Sequence, residues 1–368
     1  MDLKIVDMHC DTISELLAKR KKGQKERLRQ NSGHLDLERM KQSGYRLQNF
    51  ALFVNVGACK NPWEELCALY RLYEQELLEN QDRIRPVLCY EDIAANERKG
   101  VLSAMLTVEE GAVCGGSVEK LQTLYDMGVR MLTLTWNYPN ELGYPNLNSE
   151  RGREAWKRCA VLRAKNAAGK LSLEEKEEGQ KAFEDYFYRP DERNGLTGRG
   201  REFVARMEEL GMIVDVSHLS DKGFYDVAEC AAKPFVASHS NAREVCRSAR
   251  NLSDEMIRML AERGGCMGLN YCADFLTEPD ASQENPGTID AVVQHAKHIT
   301  KVGGMEVLGL GSDFDGIDTN RELPGAQSME KLWDALHRAG FTQAQLDGIF
   351  GGNVLRLYRE TLKGKRQE

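Results

Sequence analysis

The sequence predicts an α/β fold in the form of a (β/α)8 TIM barrel, and two observations favour this class. Short apolar runs recur about eight times along the chain, and charged segments with helical periodicity lie between them. The runs are continuous rather than alternating, which is typical of strands that are buried on both faces of a parallel sheet. Eight such strands close a barrel, and a length of 368 residues suits one barrel with loop insertions.

The predicted elements follow in order along the chain. We predict strands at residues 4–11, 47–55, 102–109, 129–136, 212–218, 234–239, 266–271 and 307–313. Helical segments 117–127 and 201–210 are each followed by a glycine, where a helix commonly ends in a left-handed residue. Thr342 and Gln345 form a capping-box pattern that opens the last helical region.

One stretch departs from this rhythm. Residues 150–193 are rich in charge, contain no strand-like run and show one clear helical window at 173–187. We interpret them as a charged helical insertion after strand four of a single barrel domain that spans 1–368, on the face where barrel active sites lie. Two interpretations remain open for it, a solvated helical hairpin and a lid that covers the pocket.

The composition excludes several classes of function. The net charge of −7, from 57 acidic and 50 basic residues, provides no basic surface for nucleic acid or for an anionic membrane. The apolar runs are far shorter than the ~20 residues of a membrane-spanning helix, and the first residues lack the pattern of a signal peptide. We therefore expect a cytoplasmic protein with no nucleic-acid or membrane partner. The ten cysteines include no CxxC pair, and we expect them to be reduced.

Three of the seven histidines, His9, His218 and His239, stand at the carboxyl ends of apolar runs, where a parallel barrel places its functional side chains. The strand period of two puts Asp7, His9 and Asp11 on one face. An imidazole and a carboxylate together favour a divalent metal, and a hydrogen-bond network at the strand end is the alternative. His218 and His239 end successive strands, so their rings should lie side by side and form half of a zinc site.

Carboxylates extend this pattern. Glu109 and Glu110 end the third strand, and only one of them can face the interior because neighbours on a strand point to opposite faces. Asp313 ends the eighth strand, which adjoins the first in a closed barrel, so it should lie near His9 and Asp11. Together the strand-end residues indicate a two-metal hydrolytic site. These residues are His9, Asp11, Glu109, His218, His239 and Asp313.

An ordered set of motifs then points to a known family. The motifs are VDMHCDT, LTVEEG, LYDMGVRMLTLTWN, NGLTGRGREFVARMEELGMIVDVSHLS, PFVASHSNAREVCRSARNLSDE, GLGSDFDG and GGNVLR. In this order they resemble the membrane dipeptidase (renal dipeptidase) family, metallopeptidases of the amidohydrolase-like barrel type, and the chain looks closest to leaderless bacterial members. Each motif alone is moderately specific, whereas the set covers nearly the whole chain and is highly specific.

The resemblance implies a metal-binding role for five positions. His9 and Asp11 would bind one zinc ion, and Glu109 would bridge it to a second. His218 and His239 would hold that second ion. The first of the two adjacent glutamates is chosen because it directly follows the valine of the family's V-E-G pattern. The resemblance thus implies two Zn2+ per chain, with other divalent metals as alternatives.

The resemblance also implies how a substrate would be held. Arg250 would bind its terminal carboxylate, and Asp313 would contact its amino group and transfer protons. The family's better-known members carry a histidine, which contacts the substrate near the scissile carbonyl, where this chain has Trp136. The indole offers one N–H donor there, and Asn137 can substitute, but neither is a titratable group. A homodimer is a further implication of the resemblance.

The function implied by the resemblance is a metal-dependent dipeptidase. It would hydrolyse dipeptides, including those with a C-terminal D-residue, with a hydroxide shared by two zinc ions. Two alternatives remain open. Another two-metal barrel hydrolase, acting on a lactone, cyclic amide or phosphoester, would need no carboxylate clamp. A non-catalytic binding protein that retains its metal is conceivable because of Trp136.

Overall fold

Strands and helices alternate along the chain in a computed structural model that describes residues 3–278, 280–318 and 320–363. The strands are β1 (Ile5–Asp7), β2 (Tyr45–Phe53), β3 (Ile84–Pro86), β4 (Leu102–Glu109), β5 (Val129–Thr133), β6 (Ile213–Asp215), β7 (Val236–Ala237), β8 (Cys266–Leu269) and β9 (Leu308–Leu310). The helices are α1 (Thr12–Lys21), α2 (Leu37–Gln42), α3 (Pro62–Glu79), α4 (Tyr90–Arg98), α5 (Val118–Asp126), α6 (Ser149–Ala167), α7 (Leu173–Phe187), α8 (Gly198–Leu210), α9 (Asp221–Cys230), α10 (Asp254–Glu262), α11 (Ala273–Leu276), α12 (Ile289–Gly303), α13 (Met329–Arg338), α14 (Gln343–Asp347) and α15 (Asn353–Thr361).

Eight of these strands close into a parallel barrel. Their order around the ring is β1, β2, β4, β5, β6, β7, β8 and β9, and β9 pairs with β1. The ring closes between β2 and β4, which pair from Leu47 opposite Ser103 to Phe53 opposite Glu109. The predicted (β/α)8 barrel is confirmed. The segment 150–193 lies between β5 and β6, the fourth and fifth strands of the ring.

The structure corrects the predicted strands in two respects. It adds β3, which pairs with Leu102–Ala104 of β4 and lies outside the ring. Several strands are also shorter than predicted, since β1 ends at Asp7, β6 at Asp215 and β7 at Ala237. The three strand-end histidines therefore lie in the loops directly after their strands, and the shared strand face predicted for positions 7, 9 and 11 is wrong.

Buried aspartates explain two of these early strand ends. β1 and β6 share the sequence IVD, and both aspartates are fully buried. Asp7 Oδ1 accepts the backbone N–H groups of His9 at 3.2 Å and Ser312 at 3.0 Å. Asp215 Oδ1 accepts the backbone N–H of Ser238 at 2.9 Å. The carboxylates satisfy donors that would otherwise need a sheet partner, so the chain can leave the sheet at these points.

Helix α15 fills the end of the barrel away from these loops. Its residues Leu357 and Tyr358 pack with buried side chains near the amino ends of the strands, among them Val6, Leu47 and Ile213. This apolar packing occupies the amino-terminal end of the barrel. The polar side chains are left at the carboxyl-terminal end, which is where barrel enzymes place their chemistry.

The inserted segment folds as two packed helices, α6 and α7. Helix α7 has the bounds of the predicted helical window, whereas α6 was not predicted. Ala155, Cys159 and Leu162 of α6 pack against Phe183 and Phe187 of α7. The spacing of four and three residues on α6 places its apolar side chains on one face. The pair of helices therefore has a small apolar cluster of its own.

The inserted helices also rest on the loops of the barrel. The backbone N–H of Ala249 donates to Phe187 O at 2.7 Å, and Asn166 Nδ2 donates to Ser282 O at 3.0 Å. Ala249 follows β7 and Ser282 follows β8. These contacts fix the insertion over the carboxyl end of the ring.

The structure bears on only one of the expectations about the surroundings of the protein. Within the described ranges, none of the helices combines the length and the apolar character needed to cross a bilayer. The cytoplasmic location and the homodimer stay predictions.

His295 of α12 joins two loops at the mouth of the barrel. It is fully buried, its Nδ1 accepts the backbone N–H of Ala242 at 3.0 Å, and its Nε2 donates to Leu276 O at 2.9 Å. Burial lowers the pKa of His295 to about 4. The ring is therefore neutral in the folded protein at neutral pH.

We expect His295 to make the fold sensitive to acid. The unfolded chain binds a proton on this ring near pH 6.5, whereas the folded chain does so only near pH 4. Its contribution to the free energy of unfolding is therefore complete above pH ~6.5, and about 3 kcal/mol is lost as the pH falls to about 4. Urea unfolding of the metal-free wild type and of His295→Gln at pH 8 and pH 4.5 measures this difference. Equal losses in the two proteins would show that His295 is not responsible.

Candidate active site

The carboxyl ends of the barrel strands surround a cavity of about 730 Å3. Of the residues predicted from the sequence, those that line it are Asp11, Glu109, Trp136, Asn137, His218 and Asp313. His9 and His239 lie deeper, each 1% exposed, and Arg250 is 3% exposed. Apart from Arg250, the predicted residues thus gather at the floor of one cavity.

Glu109 stands at the centre of this group. Its Oε2 lies 3.3 Å from His9 Nε2. Its Oε1 lies 3.0 Å from His218 Nε2 and 3.7 Å from His239 Nε2. The neighbouring Glu110 turns elsewhere, and its Oε1 accepts a backbone N–H two residues along the chain. Glu109 therefore presents one oxygen to His9 and the other to the histidine pair.

His9, Asp11 and Asp313 form the other half of the group. His9 Nε2 lies 3.5 Å from Asp11 Oδ2 and 3.9 Å from Asp313 Oδ1. Within the described part of the chain, neither ring nitrogen of His9 makes a well-directed hydrogen bond, and Asp11 Oδ1 has no partner. Orphaned buried polar atoms cost free energy, and a cation would satisfy these. The ligand atoms of the three residues lie within 4.8 Å of one another, close enough to share an ion.

Hydrogen bonds at Nδ1 set the tautomers of the other two histidines. His218 Nδ1 lies 2.9 Å from Asn137 Oδ1, an acceptor, so this nitrogen carries the proton. His239 Nδ1 lies 2.7 Å from Ser238 Oγ, whose own proton goes to Asp215 Oδ2 at 2.5 Å. Burial lowers the pKa of both histidines well below its usual value, so both rings are neutral. Their Nε2 lone pairs then face each other at 3.0 Å, an arrangement that suits a shared cation.

The carboxyl groups of the site have raised pKa values. Burial raises the pKa of Glu109 to about 7, with Asp11 adding to the effect and His9 opposing it. Burial likewise raises the pKa of Asp313 to about 6. Burial would lower the pKa of His9, but Glu109 and Asp11 together raise it well above its usual value. Crowded and buried carboxylates favour a divalent cation, whose charge would offset theirs.

Backbone strain is concentrated around the same site. Among the described residues, four that are not glycine have a positive φ in the left-handed region: Glu110 at 102°, His218 at 69°, Asp313 at 60° and Asp315 at 68°. Such conformations cost free energy and persist only where the surrounding structure enforces them. The strained residues lie in the loops that carry the polar side chains of the site.

Arg250 lies behind the cavity wall rather than on it. Its Nη1 donates to Ser240 Oγ at 2.8 Å and its Nη2 donates to His239 O at 3.1 Å. The guanidinium carbon lies 5.8 Å from the centre of the Phe275 ring, and Phe275 itself lines the cavity. The structure therefore brings Arg250 to the edge of the group without exposing it to the cavity.

The loop that carries Trp136 and Asn137 is held by Glu110. The backbone N–H of Trp136 donates to Glu110 Oε2 at 3.2 Å, and Asn140 Nδ2 donates to Glu110 Oε1 at 2.6 Å. The Trp136 ring centre lies 6.3 Å from that of His218. The glutamate that does not face the cluster thus positions the loop beside it.

Several contributors to the site were missed in the sequence. Asn270 Nδ2 donates to Asp313 Oδ2 at 2.9 Å, and Asp215 acts on His239 through Ser238. Their signal was present, because each is a polar residue within or directly after an apolar run. The amide of Asn270 and the hydroxyl of Ser238 are residue types that the prediction did not include, and Asp215 lay inside a predicted strand that continued to residue 218.

Comparison with known sequences finds one family over most of the chain. The model of the membrane dipeptidases, peptidase family M19, matches residues 1–159 and 171–368. An uncharacterized dipeptidase of Schizosaccharomyces pombe is 30% identical over 352 residues, which are 90% of this chain and 73% of the relative. An uncharacterized protein from the pqqA 5' region of Klebsiella pneumoniae is 28% identical over 297 residues, which are 81% of this chain and 94% of that protein.

Solved structures share the fold over nearly the whole chain. One is a dipeptidase that is a metallopeptidase of family M19, with a TM-score of 0.83, 24% identity and coverage of 99% of this chain and 100% of that one. Another is a metallopeptidase from Rhodobacter sphaeroides, liganded with a phosphinate mimic of the dipeptide L-Ala-D-Ala. Its TM-score is 0.81, with 23% identity and coverage of 98% of this chain and 100% of that one.

Proposed function

Because the chain belongs to the membrane dipeptidase family, a family of metal-dependent dipeptidases, we propose that it hydrolyses dipeptides with the help of two zinc ions at the floor of its cavity. One observation above all supports this: Glu109 lies between His9 and two histidines whose lone pairs face each other at 3.0 Å. Carboxylate and neutral imidazole are the ligands that zinc takes.

The residues of this chain divide naturally between two ions. His9 and Asp11 would hold one, His218 and His239 would hold the other, and Glu109 would contribute to both. The unsatisfied atoms of His9 and Asp11 fit this assignment. When bound, the cations would lower the pKa of a water molecule and polarise the scissile carbonyl.

Asp313 is the group to which we assign proton transfer. Its Oδ1 faces His9 at 3.9 Å, and its Oδ2 is held by Asn270. Burial raises the pKa of Asp313 to about 6, near the pH at which a general acid and base works best. We propose that Asp313 takes a proton from the attacking water, delivers it to the leaving amine and contacts the free amino group of the substrate.

Different residues would recognise the terminal carboxylate and the scissile carbonyl of the substrate. Arg250, which lies behind Phe275 in the structure, would bind the terminal carboxylate once the substrate displaces that ring, a contact that restricts substrates to short peptides with a free carboxyl end. Its Nε is buried without a partner among the described residues. Trp136 and Asn137 line the cavity beside His218 and can donate N–H groups near the carbonyl. A cavity of about 730 Å3 suits a ligand of this size.

We include dipeptides with a D-residue in second position in the proposal. The Rhodobacter sphaeroides metallopeptidase was solved with a mimic of L-Ala-D-Ala, which supports this choice by analogy. The proposal therefore covers both configurations of the second residue.

Metal reconstitution with a dipeptide panel tests the proposed function. The metal-free protein should be inert, and zinc, cobalt or manganese should restore hydrolysis of Ala-Ala with an L- or D-residue second. The matching dipeptide amides, which lack the terminal carboxylate, should be poor substrates. A protein that stays inert with every metal would contradict the proposal. Equal cleavage of the amides, with an unchanged KM in Arg250→Ala, would instead favour another barrel hydrolase.

A further inference from the structure

The inserted helices form one wall of the cavity. On that side it is lined by Trp156 and Arg163 of α6 and by Tyr186 and Phe187 of α7. The family model leaves residues 160–170 unmatched. Of the four wall residues, Arg163 alone lies outside the matched segments, so it is a position where this chain can differ in what it binds.

Arg163 brings to this wall a positive charge that is not held in an ion pair. In the described ranges, its Nε is buried without a hydrogen bond, and no ion pair joins its guanidinium to another residue. The other arginine that lines the cavity, Arg321, is held by Glu284 at 2.8 Å. A half-buried guanidinium that makes no ion pair has unused hydrogen-bond donors, and an anionic ligand group would bind them.

Asp274, on α11, stands near enough to interact with this charge. Burial raises the pKa of Asp274 on α11, and the charge of Arg163 opposes that shift. Both residues line the cavity, yet no ion pair forms between them. Arg163 could therefore have a purely structural role, in which its charge stabilises the buried Asp274 carboxylate. A role in substrate binding must be tested against this alternative.

The position of the wall indicates which part of a dipeptide would meet Arg163. Arg163 lies one helical turn before Asn166, whose side chain binds the loop after β8, so this face of α6 turns toward that loop. At the end of α7, Phe187 O accepts the N–H of Ala249, the residue before Arg250. The wall thus stands beside the arginine assigned to the terminal carboxylate. The side chain nearest to that carboxylate is the side chain of the second residue.

We propose that Arg163 binds the side-chain carboxylate of an acidic second residue, so that dipeptides ending in Asp or Glu are preferred substrates. The inference rests on the proposed dipeptidase function and adds a substrate class to it. A guanidinium can bind a carboxylate through two parallel hydrogen bonds. The aromatic rings of Trp156 and Phe187 offer apolar surface for the methylene groups of the same side chain. Arg163 is a specificity residue and takes no part in bond cleavage.

Matched dipeptides test this assignment in the metal-loaded enzyme. The wild type should cleave Ala-Glu with a kcat/KM about 10-fold or more above that for Ala-Gln, because a hydrogen bond to a charged group is lost in the amide. It should show no such preference for Glu-Ala over Gln-Ala. In Arg163→Gln the Ala-Glu to Ala-Gln ratio should fall to about 1 through a higher KM for Ala-Glu, with kcat and the values for Ala-Gln unchanged within about 2-fold.

Lys165→Gln is the matched control. It removes the same charge from the same helix, but Lys165 pairs with Glu175 and does not line the cavity. This variant should keep the preference of the wild type. A thermal unfolding curve of each variant confirms that the fold is retained.

Four outcomes would overturn the proposal. An unchanged ratio in Arg163→Gln, or a preference for acid only in the first residue, would remove the assignment and leave the dipeptidase function standing. Equal losses on all four dipeptides together with a lower unfolding temperature would assign Arg163 to the support of Asp274. Absence of turnover with every dipeptide and every metal would overturn both the specificity and the dipeptidase function.

Discussion

Replacing Asp313 by Asn is expected to lower kcat about 10^3-fold while the fold and the metal content are retained. An amide cannot take up the proton that the carboxylate would accept, whereas its oxygen can still accept the hydrogen bond that Asn270 donates. The backbone also tolerates the change, because Asp313 has a φ of 60° and asparagine is among the residues that adopt this conformation most readily. Steady-state kinetics, metal analysis and thermal unfolding of the variant measure the three quantities separately.

Asp318→Asn provides the control for Asp313. Asp318 is an exposed acid on the same loop and also lines the cavity, and its replacement should change kcat by no more than about 2-fold. Turnover near that of the wild type in Asp313→Asn would remove the assigned proton transfer. Loss of a metal ion in that variant would make Asp313 a ligand instead.

Glu109→Gln is expected to lower the metal content below two ions per chain and kcat/KM about 10^3-fold. The two oxygens of Glu109 face different halves of the cluster, so one substitution weakens both sites. The change also removes a negative charge from between the ions. Several kcal/mol of transition-state stabilisation by the metals would be lost, and about 4 kcal/mol corresponds to the stated factor. Metal analysis after dialysis, followed by kinetics at saturating zinc, measures both effects.

The adjacent residue provides a matched control for Glu109. Glu110 is equally buried, but it binds backbone N–H groups and Asn140 rather than the histidines. Glu110→Gln should therefore keep both metal ions, and any loss of activity should come from the loop of Trp136 and Asn137 that Glu110 holds. The reverse result, metal retained in Glu109→Gln and lost in Glu110→Gln, would show that the wrong glutamate has been assigned.

The barrel was predictable because its strands are buried on both faces. Such strands leave continuous apolar runs, and all eight strands of the ring were found in this way. β3 was missed because Ile84–Pro86 is three residues long and contains an arginine and a proline. The early ends of β1 and β6 depend on hydrogen bonds that Asp7 and Asp215 accept from Ser312 and Ser238, which follow other strands, and no local pattern contains these contacts.

The site was predictable in its members and less so in its geometry. The grouping of His9, Asp11, Glu109 and the two histidines follows from the position of each at the end of a strand. The tautomers of the histidines depend on Asn137 and Ser238, which only the folded chain places against the rings. The position of Arg250 behind Phe275 likewise results from tertiary packing.

Helix α6 shows a further limit of the sequence pattern. It is charged on most of its surface, and its narrow apolar face, formed by Ala155, Cys159 and Leu162, is too short to stand out. The contact of this face with α7 is what forms the cavity wall. The role in substrate binding that we propose for Arg163 depends on that contact.

The small apolar cluster between α6 and α7 lets one part of the chain set substrate preference while another part carries out bond cleavage. The inserted helices pack largely on each other, whereas the cluster of histidines and carboxylates is held by the ring of strands. Mutations in the insertion can therefore alter which substrates are accepted without disturbing bond cleavage. Substitutions in α6 and α7 thus offer a route to a changed substrate preference that leaves the residues proposed to bind metal untouched.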